Sequence, residues 1–248
     1  MYEADSVCET PPDNAHLWRY MDVGVFLHLI KSKGLYFCRR HQLHDRWEGA
    51  RSDSLEAYAK QRWGEEDSCR FQGFQAALAS LAAFNCWHEN ENESVAMWRL
   101  YTSGKEGVTI ATTVGRLKQV FADQPPEPLL IGRVRYIDYA GQDEQPDPDA
   151  LSTLFRKRKS YAHESEVRIL IRLPHTPVLL KKRELGQEPQ LAPGVGISVD
   201  LPTLVERIVT SPGYPPWAID ALQSVVSESG LNIAIEKSDL LSKPHNNG

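Results

Sequence analysis

The sequence predicts an α+β fold: a single domain with a mixed or split central sheet of short strands flanked by helices. Three observations point there. A chain of 248 residues and 28.0 kDa, 41% hydrophobic and 25% charged, has globular composition and enough length to bury a sizeable core. Strand-like and helix-like segments alternate irregularly, and the strands are short and of mixed pattern, unlike the regular alternation of a doubly wound parallel sheet. No G-x-G-x-x-G, Walker or G-x-S-x-G motif opens a nucleotide-binding or hydrolase turn, and no internal repeat or low-complexity tract appears. The domain is expected over residues 15–241, between a flexible N-terminal arm (1–14) and a flexible tail (242–248).

The elements follow in order. His16–Tyr20 reads as a short strand. Asp22 can cap a helix with Val25, Phe26, Leu29 and Ile30 at helical spacing, ending at Gly34. Leu35–Cys38 is a second strand, followed by a polar loop, His41 to Arg51. Helical stretches at Asp53–Trp63 and Ser68–Ala83 precede a strand at Ala83–Trp87. Ser94 caps a helix containing Val95, Met97, Trp98 and Tyr101; Gly104 and Gly107 break it, and Val108–Thr112 returns as a strand. Val114–Phe121 is a helix and Leu129–Tyr139 a long strand. After a linker from Gly141 to Asp149, Asp149–Ala162 is read as helical and Glu164–Leu173 as a strand. Gly186–Gly196 is a loop or turn. Ile197–Asp200, Arg207–Thr210 and Asn232–Ile235 are short strands, and Pro216–Glu228 is a helix.

Charge and cysteine usage narrow the class. A net charge of −5 argues against a globally basic nucleic-acid binder. The longest apolar runs, such as Gly24–Ile30 and Val167–Ile171, fall well short of the roughly 20 residues that span a bilayer. Residues 1–14 lack the basic-then-apolar layout of a secretory signal, so a cytoplasmic protein is expected. Cys8, Cys38, Cys69 and Cys86 form no C-x-x-C pair and read as free thiols.

The most informative stretch runs from His163 to Arg172. On a strand, Ser165, Val167, Ile169 and Ile171 fall on one face, and Glu164, Glu166, Arg168 and Arg172 on the other. Two carboxylates and a guanidinium projecting side by side could bind a ribose and stabilise positive charge developing at a sugar carbon. Glu–Arg pairing on a half-solvated strand face is the plainer reading of the same pattern. In Leu17–Tyr20 and Leu35–Cys38, Arg19 could hold a phosphate through paired hydrogen bonds, and Tyr20 or Tyr36 could stack on a flat ring. Trp98 and Tyr101, three apart on one helix face, could line a cleft. The run Arg156–Lys159 is expected as a solvated helix face near a helix end, or as a contact for a phosphate-rich partner. His41, His44, Asp45 and Glu48 could hold a divalent metal, although H-x-x-H is a weak signal; no metal is expected.

Several segments come in an order that resembles the bacterial domain family of unknown function numbered 2971. They are Leu17–Tyr20, Gly34–Phe37, the Asp45–Gly49 loop, Phe84–Trp87 with Ala96–Tyr101, Glu164–Arg168, Val199–Leu201, Arg207–Pro212 and Ile235–Leu240. The resemblance spans about residues 15–241. Where that family usually has Asn-Asp-Pro-aromatic-Glu, this chain has His44-Asp45-Arg46-Trp47-Glu48. A weaker similarity links the aromatic first strands and the late glutamate to ADP-ribosyltransferases, and implies that fold. It implies NAD as substrate, Glu166 with its partner Glu164 as the catalytic acids, Arg19 at the nicotinamide ribose and Tyr36 at the nicotinamide; Tyr20, Trp98, Tyr101 and Arg168, read from the residues themselves, complete the expected nucleotide-binding set. The Ser-Thr-Ser that usually follows the second strand in such enzymes is absent.

Two readings from different classes follow. One is an enzyme that cleaves NAD at the nicotinamide–ribose bond and passes ADP-ribose to a macromolecular acceptor, protein or RNA/DNA. It would be a toxin or anti-phage effector with an antitoxin or inhibitor protein as partner. The other is a non-catalytic nucleotide- or peptide-binding regulatory module in which Glu166 and Arg168 form a structural ion pair. A metal-dependent nuclease using the His41–Glu48 cluster ranks last.

Overall fold

The computed structural model describes residues 7–43, 45–102, 106–122, 129–141, 149–172, 181 and 192–241. The strands are β1 (His16–Asp22), β2 (Gly34–Arg39), β3 (Ala82–Glu89), β4 (Gly107–Thr113), β5 (Leu129–Arg133), β6 (Arg135–Ile137), β7 (Arg156–Arg158), β8 (Glu166–Arg172), β9 (Gly194–Ser198), β10 (Arg207–Thr210) and β11 (Ile235–Lys237). The helices are α1 (Val23–Ser32), α2 (Asp53–Trp63), α3 (Glu65–Leu81), α4 (Val95–Tyr101), α5 (Val114–Val120), α6 (Leu201–Leu204) and α7 (Pro216–Glu228). The fold is α+β, with a mixed, mostly antiparallel, open sheet flanked by helices. No described helix is long and apolar enough to cross a membrane.

The chain forms two compact units: Met1–Pro11, Tyr36–Cys86 and Asp123–Gly196 make one; Pro12–Leu35, Trp87–Ala122 and Ile197–Gly248 make the other. In the second unit β1 pairs antiparallel with β4 along its full length, from His16 opposite Thr113 to Asp22 opposite Gly107. β10 pairs antiparallel with β4 and parallel with β11. Trp18, Tyr20, Met97, Trp98, Ala111 and Val209 form a core cluster there.

In the first unit β8 lies between β3 and β5, and β5 runs antiparallel to it, Leu129 opposite Ile171. Val7, Ala79, Ala82, Phe84, Leu130, Leu154, Phe155 and Leu170 form its core cluster. Ser52 Oγ accepts from Leu55 N at 3.3 Å and starts α2. Gly64, at φ 84°, ends it.

Most sequence-predicted elements hold; among the exceptions, the strand expected at Asn232–Ile235 runs instead over Ile235–Lys237 and that at Ile197–Asp200 over Gly194–Ser198. The helix expected to reach Ala83 stops at Leu81, because Ala82 already belongs to β3. The long strand at Leu129–Tyr139 breaks at Val134, where the chain changes partners: β5 pairs with β8, β6 pairs with β7, and Val134 N donates to Glu166 O at 2.8 Å. The helix expected at Asp149–Ala162 is two 3-10 turns, Ser152–Phe155 and Lys159–Glu164, with β7 between them. Here tertiary pairing overrides local preference: β7 lies parallel to β6, and Arg156 and Lys157 are buried rather than solvated. The expected loop at Gly186–Gly196 falls mostly outside the described residues; its last three belong to β9.

Candidate functional site

A strand with neighbours on both edges can have both of its faces covered, and β8 does. Val167, Ile169 and Ile171 are buried on one face; Glu166, Arg168 and Leu170 are buried on the other. The alternation read from the sequence is correct from Glu166 onward, with Glu164 and Ser165 lying before the strand. The half-solvated face is not: Glu166 is only 5% exposed and Arg168 1%. Charges held that far from water must be paired.

They are paired in a closed ring. Arg168 Nε and Nη2 donate to Glu166 Oε1 at 2.9 and 2.8 Å. Nη2 also reaches Glu48 Oε2 at 2.5 Å, and Nη1 donates to the Leu154 carbonyl at 2.5 Å. Lys157 Nζ closes the circuit, 3.3 Å from Glu166 Oε2 and 3.4 Å from Glu48 Oε1. Each of these two carboxylates thus gives one oxygen to the arginine and the other to the lysine. Glu164 adds a third carboxylate, 2.7 Å from Lys157 Nζ. It comes from the 3-10 turn rather than from β8, and the chain reverses at Ser165 (φ 40°) so that both glutamates meet the lysine. The Phe84 ring lies 5.0 Å from the Arg168 guanidinium carbon.

The ring fixes protonation states. Burial alone would raise the Glu166 carboxyl, but Arg168 and Lys157 outweigh it and hold it at about 2. Burial opposes the charge on Lys157 and Arg168, and the surrounding carboxylates hold both above their ordinary values. Burial, with Glu166 beside it, pushes the Cys86 thiol well up. Glu166 is therefore a permanent anion with both oxygens engaged.

One chain of contacts leads from the ring to the surface. Glu48 ends the short loop from Asp45, whose Oδ1 accepts from Trp47 N at 3.1 Å. The Arg158 guanidinium grips both Asp45 oxygens, Nη2 to Oδ1 at 2.9 Å and Nε to Oδ2 at 3.0 Å. The Glu48 carbonyl accepts from Arg40 Nε at 2.5 Å. Gly49 follows at φ 74°, where a Cβ would lie 3.1 Å from Leu154 Cδ2 and 3.2 Å from Arg40 Nε. Arg40, His41, Leu43, Asp45, Arg46 and Ser80 line a cleft of about 280 Å³. Asp45 is neutralised by Arg158, and among the described residues neither Arg40 nor Arg46 meets a carboxylate. The cleft is electropositive.

The other sequence-predicted residues fall elsewhere. Tyr36 is 40% exposed, with its hydroxyl 3.5 Å from Gln42 Oε1. In the second unit the Arg19 guanidinium carbon lies 5.9 Å from the Trp87 ring centroid. Tyr20 and Trp98, read as stacking or cleft residues, are buried edge to face with ring centroids 4.9 Å apart. Their polar tips serve the fold: Tyr20 Oη accepts from Ser94 N at 2.8 Å, and Trp98 Nε1 donates to Glu93 Oε2 at 3.0 Å. Tyr101 is exposed. The burial of Tyr20 follows from its inward-facing place on β1, that of Trp98 from its buried helix face.

For the metal reading, Asp45 and Glu48 are both engaged by cations, and His44 lies outside the described residues. Among the described residues no three His, Cys, Asp or Glu side chains converge as metal ligands. Sequence reasoning missed Arg40 and Arg46, and it read Lys157 and Arg158 as a solvated face or phosphate contact rather than as the ion-pair partners of Glu48 and Asp45. A basic run just upstream of a Glu-x-Glu-x-Arg strand was the available signal for the last two.

The chain matches no known protein family model and no curated protein. Its chemistry has to be read from its own residues.

Proposed function

We propose that this chain is a non-catalytic nucleotide-binding module whose cleft takes a phosphate-bearing end of the ligand, with the buried charge ring as its frame. One observation carries the reading: Asp45 is neutralised by Arg158, leaving Arg40 and Arg46 as guanidinium groups on the cleft that meet no carboxylate among the described residues. Guanidinium forks suit phosphate oxygens, and each such charge-assisted hydrogen bond contributes about 1.5–3 kcal/mol. A cleft of about 280 Å³ lies just below the usual span of ligand sites, roughly 300 to 1,000 Å³. It suits a phosphate with its sugar, at the end of a mononucleotide or of NAD.

The transferase reading asks Glu166 to face a sugar carbon as a fixed anion. Both its oxygens are occupied by Arg168 and Lys157, so that role would require the ring to open. The experiment is calorimetric titration of the protein with AMP, NAD and inorganic phosphate, repeated with Arg40→Gln and Arg46→Gln, and beside it an assay for nicotinamide released from NAD. Binding that weakens roughly tenfold or more in each variant, without nicotinamide release, supports the module. No binding of any of the three overturns it. Nicotinamide release that Glu166→Gln abolishes would restore the transferase.

A further inference from the structure

Glu48 contributes to two structures at once. Its carboxylate closes the buried ring, bridging Arg168 at 2.5 Å and Lys157 at 3.4 Å. Its carbonyl accepts from Arg40 Nε at 2.5 Å. The next residue, Gly49, leaves room beside that same Nε, which an added Cβ would approach to 3.2 Å. Arg40 is thereby held through its inner nitrogen, and its terminal nitrogens are left to the cleft. Arg46 is exposed, and no such support meets it among the described residues.

We infer that Glu48 is a positioning residue for the cleft: the charge ring anchors its side chain, and its backbone carbonyl orients Arg40 toward a bound phosphate. This rests on the reading of the cleft as a phosphate site. The logic is that of any outer support: a flexible cationic side chain binds an anion better when its orientation is set beforehand. Asp45 shares the arrangement at the other end of the loop, where Arg158 clamps it and Trp47 N caps it. The loop between the two acids is pinned at both ends by buried carboxylates.

The probes are AMP and inorganic phosphate, titrated at a temperature where each variant is fully folded. Glu48→Gln removes the charge and keeps the carbonyl. Gly49→Ala keeps every charge, crowds Arg40 Nε and Leu154 Cδ2, and strains the backbone at φ 74°. Leu130→Ala, a core substitution that removes none of these hydrogen bonds or ion pairs, supplies a destabilised control. The expected result is that Glu48→Gln and Gly49→Ala each weaken binding at least about tenfold, the scale on which supporting residues tune a bound site. Both also flatten its salt dependence as Arg40→Gln does, while Leu130→Ala binds like the wild type.

Wild-type affinity in folded Glu48→Gln and Gly49→Ala overturns the inference and leaves the cleft reading standing. Equal weakening in Leu130→Ala overturns it as well, since the loss would then track stability. If Glu48→Gln fails to fold, Gly49→Ala decides. If the wild type binds neither probe, the cleft reading fails first and the inference falls with it.

Discussion

Arg168 and Glu166 stand two residues apart on one buried face of β8 and clasp each other, with the guanidinium Nε and Nη2 both on a single carboxylate oxygen at 2.9 and 2.8 Å. The same guanidinium holds Glu48, 120 residues away in the chain. One arginine thus ties a loop to a central strand inside the protein. Such a cation stabilises less by its own attraction than by preventing the carboxylates from being stranded.

Removal of that cation should be severe. Arg168→Met leaves Glu48 and Glu166 buried with only Lys157 between them. Breaking a buried pair from one side costs about 3–5 kcal/mol. Urea denaturation should show a loss of that size, and a loss under about 1 kcal/mol would mean the ring opens to water in solution.

Acid should find the same weak point. The Glu166 carboxyl is held at about 2 in the folded protein, against an ordinary value of 4.5. A depressed folded value means a contribution fully present above the unfolded value and lost as pH falls. The window is therefore about pH 4.5 down to about 2, and the contribution is on the order of 3 kcal/mol. Unfolding free energy measured against pH should fall through that window, and Glu166→Gln should flatten the fall. An unchanged slope in the variant would assign acid sensitivity to other groups.

Tyr139 sits beside the ring, buried, with its hydroxyl finding no hydrogen-bond partner among the described residues. Burial, with Asp45 and Glu48 adding to it, pushes the phenol up to about 12. Its ring packs on Trp47 at 5.3 Å between centroids. Since an unsatisfied buried hydroxyl is unfavourable by about 1–3 kcal/mol, Tyr139→Phe should raise stability or leave it unchanged. A loss of 1 kcal/mol or more would show that the hydroxyl is bonded.

What the sequence made legible was local. α2, α7 and β10 have the bounds that the pattern predicts, two of them beside a clear boundary signal: Ser52 before α2 and Pro216 at the start of α7. The pairing of alternating faces on β8 was legible too. Burial of the polar face was not, because it depends on β3 and β5 covering both edges of β8 and on the loop at Glu48 lying against Arg168. A basic run such as Arg156–Lys159 reads as solvated until distant Glu48 joins the nearby Glu164 and Glu166 around Lys157. Long-range charge pairing leaves no period in a sequence.

The last prediction separates fold from site in the second unit. Ser94 Oγ accepts from Met97 N at 3.3 Å and caps α4, while Ser94 N donates to the Tyr20 hydroxyl at 2.8 Å. Tyr20 therefore receives the first turn of α4 through its oxygen and Trp98 through its ring. Its phenol is pushed up by burial, with the Ser94 amide opposing and Glu93 adding to the rise. Ser94→Ala should lower stability by about 1 kcal/mol, the usual magnitude of a lost cap. Tyr20→Phe should lower it by about 0.5–1.5 kcal/mol, because the half-buried Ser94 amide loses its acceptor. Both are read by urea denaturation. If Tyr20→Phe left stability unchanged and instead abolished nucleotide binding, Tyr20 would belong to the ligand site as a stacking surface, and its contact with Ser94 would be incidental.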